Sequence, residues 1–111
     1  MINWARIEEL FEDFGADGFA DVADVFIEEV TESLDRLSAA QDPDSLRAEF
    51  HFLKGAALNL GFDDISRLCA EGEQRATRQQ PCTAQKAQVL TQMPATCKTF
   101  MQQWPTRLAG R

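Results

Sequence analysis

Apolar positions along the chain recur at the steps of three and four that turn one face of a helix toward a core, and breakers divide the pattern into five segments. The first, about residues 3–14, carries Trp4, Ile7, Phe11 and Phe14 on one stripe, with Asn3 as its N-cap. Gly15-Ala16-Asp17-Gly18 ends it. A second helix, about 19–40, turns Phe19, Ala23, Phe26, Val30, Leu34 and Leu37 inward. After Gln41-Asp42-Pro43-Asp44 a third helix begins, capped by Asp42 or Asp44 and tolerating proline in its first turn. Its stripe is Leu46, Phe50, Leu53, Ala57 and Leu60, and Gly61 suits the left-handed residue that closes a helix. Asp63 or Asp64 caps a fourth helix reaching about residue 80, which turns Ile65, Leu68, Cys69, Gly72 and Ala76 inward. Gly72 in that row allows close helix approach. Pro81 interrupts the pattern, and a last helix over about 83–104 presents Leu90, Met93, Cys97, Phe100 and Trp104, with Pro94 expected to kink or split it. Short connections favour antiparallel neighbours. The expected fold is therefore all-α: an up-down-up-down four-helix bundle with a short N-terminal cover helix.

Against the third stripe, one residue stands out. His51 is the only histidine. At about 100° per residue it lies roughly 140° from the centre of the stripe, so its imidazole points to solvent. Residues three and four apart are surface neighbours on a helix; those of His51 are Arg47, Lys54 and Gly55. A glycine inside a helix costs about 1 kcal/mol relative to alanine, and at Gly55 that cost has a use: clearance beside the imidazole for a bulky incoming group. Lys54 and Arg47 can help hold an anion on the ring. Their pull is weak while the site is wet, since an ion pair at about 4 Å is worth roughly 1 kcal/mol in water and about 4 kcal/mol at an effective dielectric near 20.

The run His51-x-x-Lys54-Gly55-Ala56-Ala57, closed by Gly61 at the helix end, resembles the signature of the histidine-containing phosphotransfer (HPt) family. The motif itself covers about a dozen residues, whereas the architectural resemblance extends from Asn3 to near Trp104. The resemblance implies reversible phosphoryl transfer between His51 and an aspartate on a response-regulator receiver domain. It implies attack by Nε2, a magnesium ion carried by the receiver, and a hybrid sensor kinase as a further partner. Family members often set a polar side chain from the next helix against the imidazole. Glu73, 22 residues after His51, is the candidate for that position, and a solvated surface glutamate is the alternative.

Composition narrows the remaining classes. A chain of 111 residues with 44% hydrophobic residues fits one domain, 1–111. No stretch approaches the roughly 20 apolar residues of a membrane span, and Glu8, Glu9, Glu12 and Asp13 do not suit a signal peptide. The expectation is a cytoplasmic monomer. A net charge of −7 argues against nucleic acid. Cys69, Cys82 and Cys97 show no Cys-x-x-Cys spacing, so no metal site or disulfide framework is expected, and Cys69 and Cys97 fall on core stripes. There is no Gly-x-x-x-x-Gly-Lys loop, and no general base stands beside the histidine in sequence. Autonomous kinase or phosphatase activity is not expected.

Phe52 and Leu58 lie off the core stripe on either side of the imidazole. They are either singly exposed apolar residues or, joined by Ile7, Leu10 or Phe11 from the first helix, a docking surface for the receiver. The alternative to phosphotransfer is a non-catalytic helical interaction module. It predicts the same fold and gives no account of Lys54 and Gly55.

Overall fold

A computed structural model of the chain describes residues 2–110, and these form four helices with no strand among them. They are α1 (Trp4–Ala39), α2 (Pro43–Asn59), α3 (Asp63–Thr77) and α4 (Thr83–Arg107). α1 packs on α2 and α4, and α3 packs on the same two, which closes a ring of four helices. The 21 × 20 Å cross-section agrees: at 8–10 Å between helix axes there is room for two helices each way.

α1 departs from the expected pair of separate helices. Its only non-helical residue is Gly15 (φ 75°, ψ 172°), in a left-handed region that favours glycine, and the helix resumes directly after it. The expected four-residue break shrinks to one residue, and Gly18 is helical. Before the break, Ile7 and Phe11 are buried in the common core, while Phe14 points outward, contrary to its place on the apolar stripe. The break is the reason: it rotates the arm relative to the rest of α1, so a stripe extrapolated to residue 14 loses its partner surface.

The start of the arm is fixed to the α2–α3 turn. The Asn3 side chain accepts from the Arg6 N–H at 3.3 Å, which makes it the N-cap, and its own backbone N–H donates to the Gly61 carbonyl at 2.7 Å. Gly61 has φ 72°, as expected of a helix-closing glycine, and a Cβ there would lie 2.4 Å from the Asn3 carbonyl oxygen. Both the backbone sign and the clearance exclude a side chain. Asp42 caps α2, accepting from the Ser45 N–H at 2.9 Å, and that backbone bond holds its carboxyl below the usual carboxylate range. Neither Asp63 nor Asp64 caps α3; both lie in its first turn, where negative charge suits the helix dipole.

The core is aromatic at one end. Phe19 meets Phe11, Phe100 and Trp104 at centroid distances of 5.3, 6.3 and 5.0 Å, and Phe62 meets Phe100 at 6.0 Å. Full burial of each such ring is worth about 1.5–3 kcal/mol. α3 ends at Thr77, short of residue 80, where Gln79 takes a positive φ of 57°. α4 runs three residues past Trp104 and continues through Pro94 without a break. Pro94 is exposed, so the carbonyl bond it forfeits faces water that can replace it. On α4, Val89 is fully buried along with Met93 and Phe100, whereas Leu90, expected on the inner stripe, is half-buried.

Candidate functional site

One pair of contacts sets the distance between α2 and α3. Phe50 is fully buried, and its ring lies against Gly72: a Cβ on Gly72 would fall 2.6 Å from the ring carbons. The glycine lets the ring fit between the helices, drawing α3 close to α2. Each partner has a next-door residue that turns the other way. His51 follows Phe50 and Glu73 follows Gly72, and on the outer side of the same contact they meet.

His51 Nδ1 lies 2.7 Å from Glu73 Oε2, and Lys54 Nζ donates to Glu73 Oε1 at 2.5 Å. One carboxylate therefore serves two partners from α2. The His51 side chain is 70% exposed, against 36% for Lys54 and 20% for Glu73, so the ring stands in solvent on a half-sheltered support. Burial works to raise the pKa of Glu73, but hydrogen bonds from Lys54 and His51, with the Lys54 charge, outweigh it and hold the carboxyl below its usual value. Glu73 is thus an anion at neutral pH and can only accept. His51 must supply the proton between them, which places it on Nδ1 and leaves Nε2 of the neutral ring with a free lone pair. Among the described residues nothing else bonds the ring.

The other expected site residues separate into two groups. Gly55 opens onto space, with nothing within 4 Å of a Cβ built there, and Phe52 and Leu58 are exposed. Arg47, expected beside the imidazole, pairs with Asp44 at 3.7 Å, because the acidic first turn of α2 offers a carboxylate one turn back. Lys54, expected as a free cation, is engaged by Glu73. Ile7 and Phe11 are core residues, so only half-buried Leu10 remains of the three expected to join the docking surface from the first helix.

Two features had no clear sequence signal. Ser33, fully buried on α1, donates to Glu49 Oε1 on α2 at 2.8 Å, and Arg36 Nε donates to the same oxygen at 3.1 Å, which fixes the rotation of α2. Cys82 is buried along with Cys69 and Cys97. Burial pushes the Cys69 thiol up to about 12 and Cys97 to about 11, so neither is a nucleophile near neutral pH. Among the described residues no group of three or more His, Cys, Asp or Glu is placed to hold a metal ion. No described helix is long and apolar enough to cross a membrane.

The family model described as Hpt domain matches residues 21–107, which include His51 and every partner just described. The chain belongs to the Hpt domain family. No curated protein and no solved structure matches it. Hpt domains are phosphocarrier modules of two-component phosphorelays, and they are neither kinases nor phosphatases. The match begins at residue 21, beyond the arm that precedes Gly15, so the arm is an addition to the matched region.

Proposed function

We propose that His51 is the phosphoacceptor of this Hpt domain, and that it exchanges its phosphoryl group with the aspartate of a response-regulator receiver domain. The observation that carries the proposal is the Glu73 carboxylate at Nδ1, which leaves Nε2 unprotonated on the exposed edge of the ring. In the forward step the Nε2 lone pair attacks the phosphorus of the receiver's aspartyl phosphate. The N–P bond forms as the P–O bond breaks, and the aspartate leaves as a carboxylate. No proton has to depart from Nε2. The phosphorylated ring keeps its proton on Nδ1 and gains positive charge, which the Glu73 carboxylate stabilises. The same steps reversed return the group to a receiver.

Most of the catalysis in such a transfer is positioning and charge compensation. This chain supplies a fixed ring, the open side at Gly55, and Lys54 within reach of the incoming phosphoryl oxygens. The Mg2+ belongs to the receiver. Phe52 and Leu58 supply apolar area on the face around the ring for docking. In this reading the protein is a single-domain cytoplasmic monomer fed by a hybrid sensor kinase, and its output is a charged receiver.

The test is phosphoryl acceptance by His51→Gln. With a receiver charged by acetyl phosphate as donor, the wild type should gain an acid-labile, base-stable phosphate and the variant none, while helicity and Tm stay nearly unchanged. Equal labelling of the variant would remove His51 from the role.

A further inference from the structure

We infer that the outer face of α1 is a second docking surface, separate from His51, whose partner is a basic amphipathic helix. Among the described residues, four large hydrophobic side chains are exposed. Phe52 and Leu58 flank His51; Phe14 (50% exposed) and Val25 (53%) do not. Val25 lies about 145° from the centre of the buried α1 stripe at 100° per residue, with the half-buried Val22 beside it. Asp21, Val22, Val25, Phe26 and Glu29 line a shallow, mostly apolar depression there of about 250 Å3. A Cβ on Gly18 would lie 3.5 Å from the Phe14 Cβ, so Phe14 extends the same apolar strip past the Gly15 break. The strip is on the side of the bundle away from the phosphotransfer site. The body of α1 packs on α2 and α4 rather than on α3, whereas His51 leans toward α3 to reach Glu73.

Charge identifies what covers it. Residues 1–40 hold eleven of the chain's 18 Asp and Glu but two of its 11 Lys and Arg, so the whole net charge of −7 resides there and the rest of the chain is slightly positive. From Glu12 to Asp35, all nine acidic side chains are exposed, and none has a cation within ion-pair distance among the described residues. Like charges one turn apart, such as Asp17 with Asp21, Asp24 with Glu28 and Glu28 with Glu32, are mutually destabilising on a helix. Beyond residue 40, four of the seven acids are matched: Asp44 with Arg47, Glu49 with Arg36, Asp64 with Arg67 and Glu73 with Lys54. An apolar strip rimmed by unmatched carboxylates complements a helix with Leu-like anchors one turn apart and Lys or Arg flanking them. Two acidic faces of this kind repel one another, so a second copy is a poor occupant.

The test uses the full chain, 15N-labelled, and two synthetic peptides: a lysine–leucine amphipathic helix, and a matched peptide with every leucine replaced by serine. The leucine peptide should bind about tenfold more tightly than the serine peptide, the scale of an apolar anchor lost at an interface. Its shift changes should centre on Phe14, Val22 and Val25 and leave His51 unmoved. Val25→Ser should remove the preference for leucine without altering phosphoryl acceptance, and E28K combined with E32K should weaken both peptides. Equal binding of the two peptides, or an unchanged preference in Val25→Ser, would reduce the face to a solvated acidic surface and overturn the proposal. Self-association of the free chain that Val25→Ser abolishes would also overturn it, by placing a second copy on the strip.

Discussion

Phe50 and His51 are neighbours in sequence, as are Gly72 and Glu73, yet the first member of each pair makes the inner contact between α2 and α3 and the second makes the outer one. The inner contact is dry and closely packed, with no room for a Cβ on Gly72. The outer one is polar and open, with a ring 70% exposed. The difference teaches how a small bundle holds a reactive group steady in water. The two helices are brought to a fixed separation by packing, and the chemistry is hung one residue away on the same backbone. A surface ion pair alone is worth at most about 1 kcal/mol and would not hold the ring. The ring is positioned because the contact beneath it cannot shift.

Breaking the inner contact should therefore have the largest effect on both stability and function. Gly72→Val should cost roughly 1–3 kcal/mol of stability, the usual scale of overpacking, and should slow phosphoryl transfer by displacing Glu73. Denaturant unfolding and single-turnover transfer check the two effects together. A variant that loses stability but transfers at the wild-type rate would separate the inner contact from the outer one.

Removing the outer anchor should leave the fold alone. In Glu73→Ala the ring loses its acceptor, the Nδ1-H form is no longer favoured, and transfer should fall about tenfold, equivalent to about 1.4 kcal/mol of barrier. The melting temperature should change little, since the pair is exposed on the His51 side. Unchanged kinetics would return Glu73 to the status of a solvated surface glutamate.

How far these residues were legible beforehand depended on whether one helix or two determined them. The four-and-three spacing of Leu46, Phe50, Leu53, Ala57 and Leu60 fixes a single helix's rotation, so an exposed His51 and an open Gly55 followed from sequence. Gly61 was legible because a chain reversal needs its backbone sign. The pairings were not. Whether Lys54 stays free or meets Glu73 is decided by how near α3 comes. That distance depends on Phe50 filling the space above Gly72. Phe14 and Pro94 failed for a related reason: a stripe assumes an unbroken helix, and Gly15 breaks one, while a proline rule assumes a carbonyl without solvent, and Pro94 has water.

Lys54→Ala should have a smaller effect, below about 1 kcal/mol on transfer rate or phosphohistidine lifetime, because Glu73 already neutralises part of the lysine's charge. Raised salt should shrink the difference. Hydrolysis rates of the phosphorylated protein at two ionic strengths give the answer, and identical values for wild type and variant at both would exclude a role for the charge.

The smallest effect concerns pH. Glu73 has a folded-state pKa below its ordinary 4.5, so its pairing with Lys54 contributes stability that is fully present above about pH 4.5 and is lost as pH falls through the lowered folded value. The stability difference between wild type and Glu73→Gln, measured in a His51→Gln background so that the imidazole does not titrate, should stay level from neutral pH down to about 4.5 and close below it. A gap that closes near neutrality would mean the carboxylate is not held as an anion.

The account rests on which nitrogen of His51 is free. Labelling the histidine ring with 15N and charging the protein from a phosphorylated receiver reads this directly, before and after transfer. The neutral ring should show its proton on Nδ1, and the phosphorylated ring should carry phosphorus on Nε2 with that proton retained. A proton on Nε2 in the free protein, or phosphorus on Nδ1 after transfer, would contradict the arrangement set by Glu73.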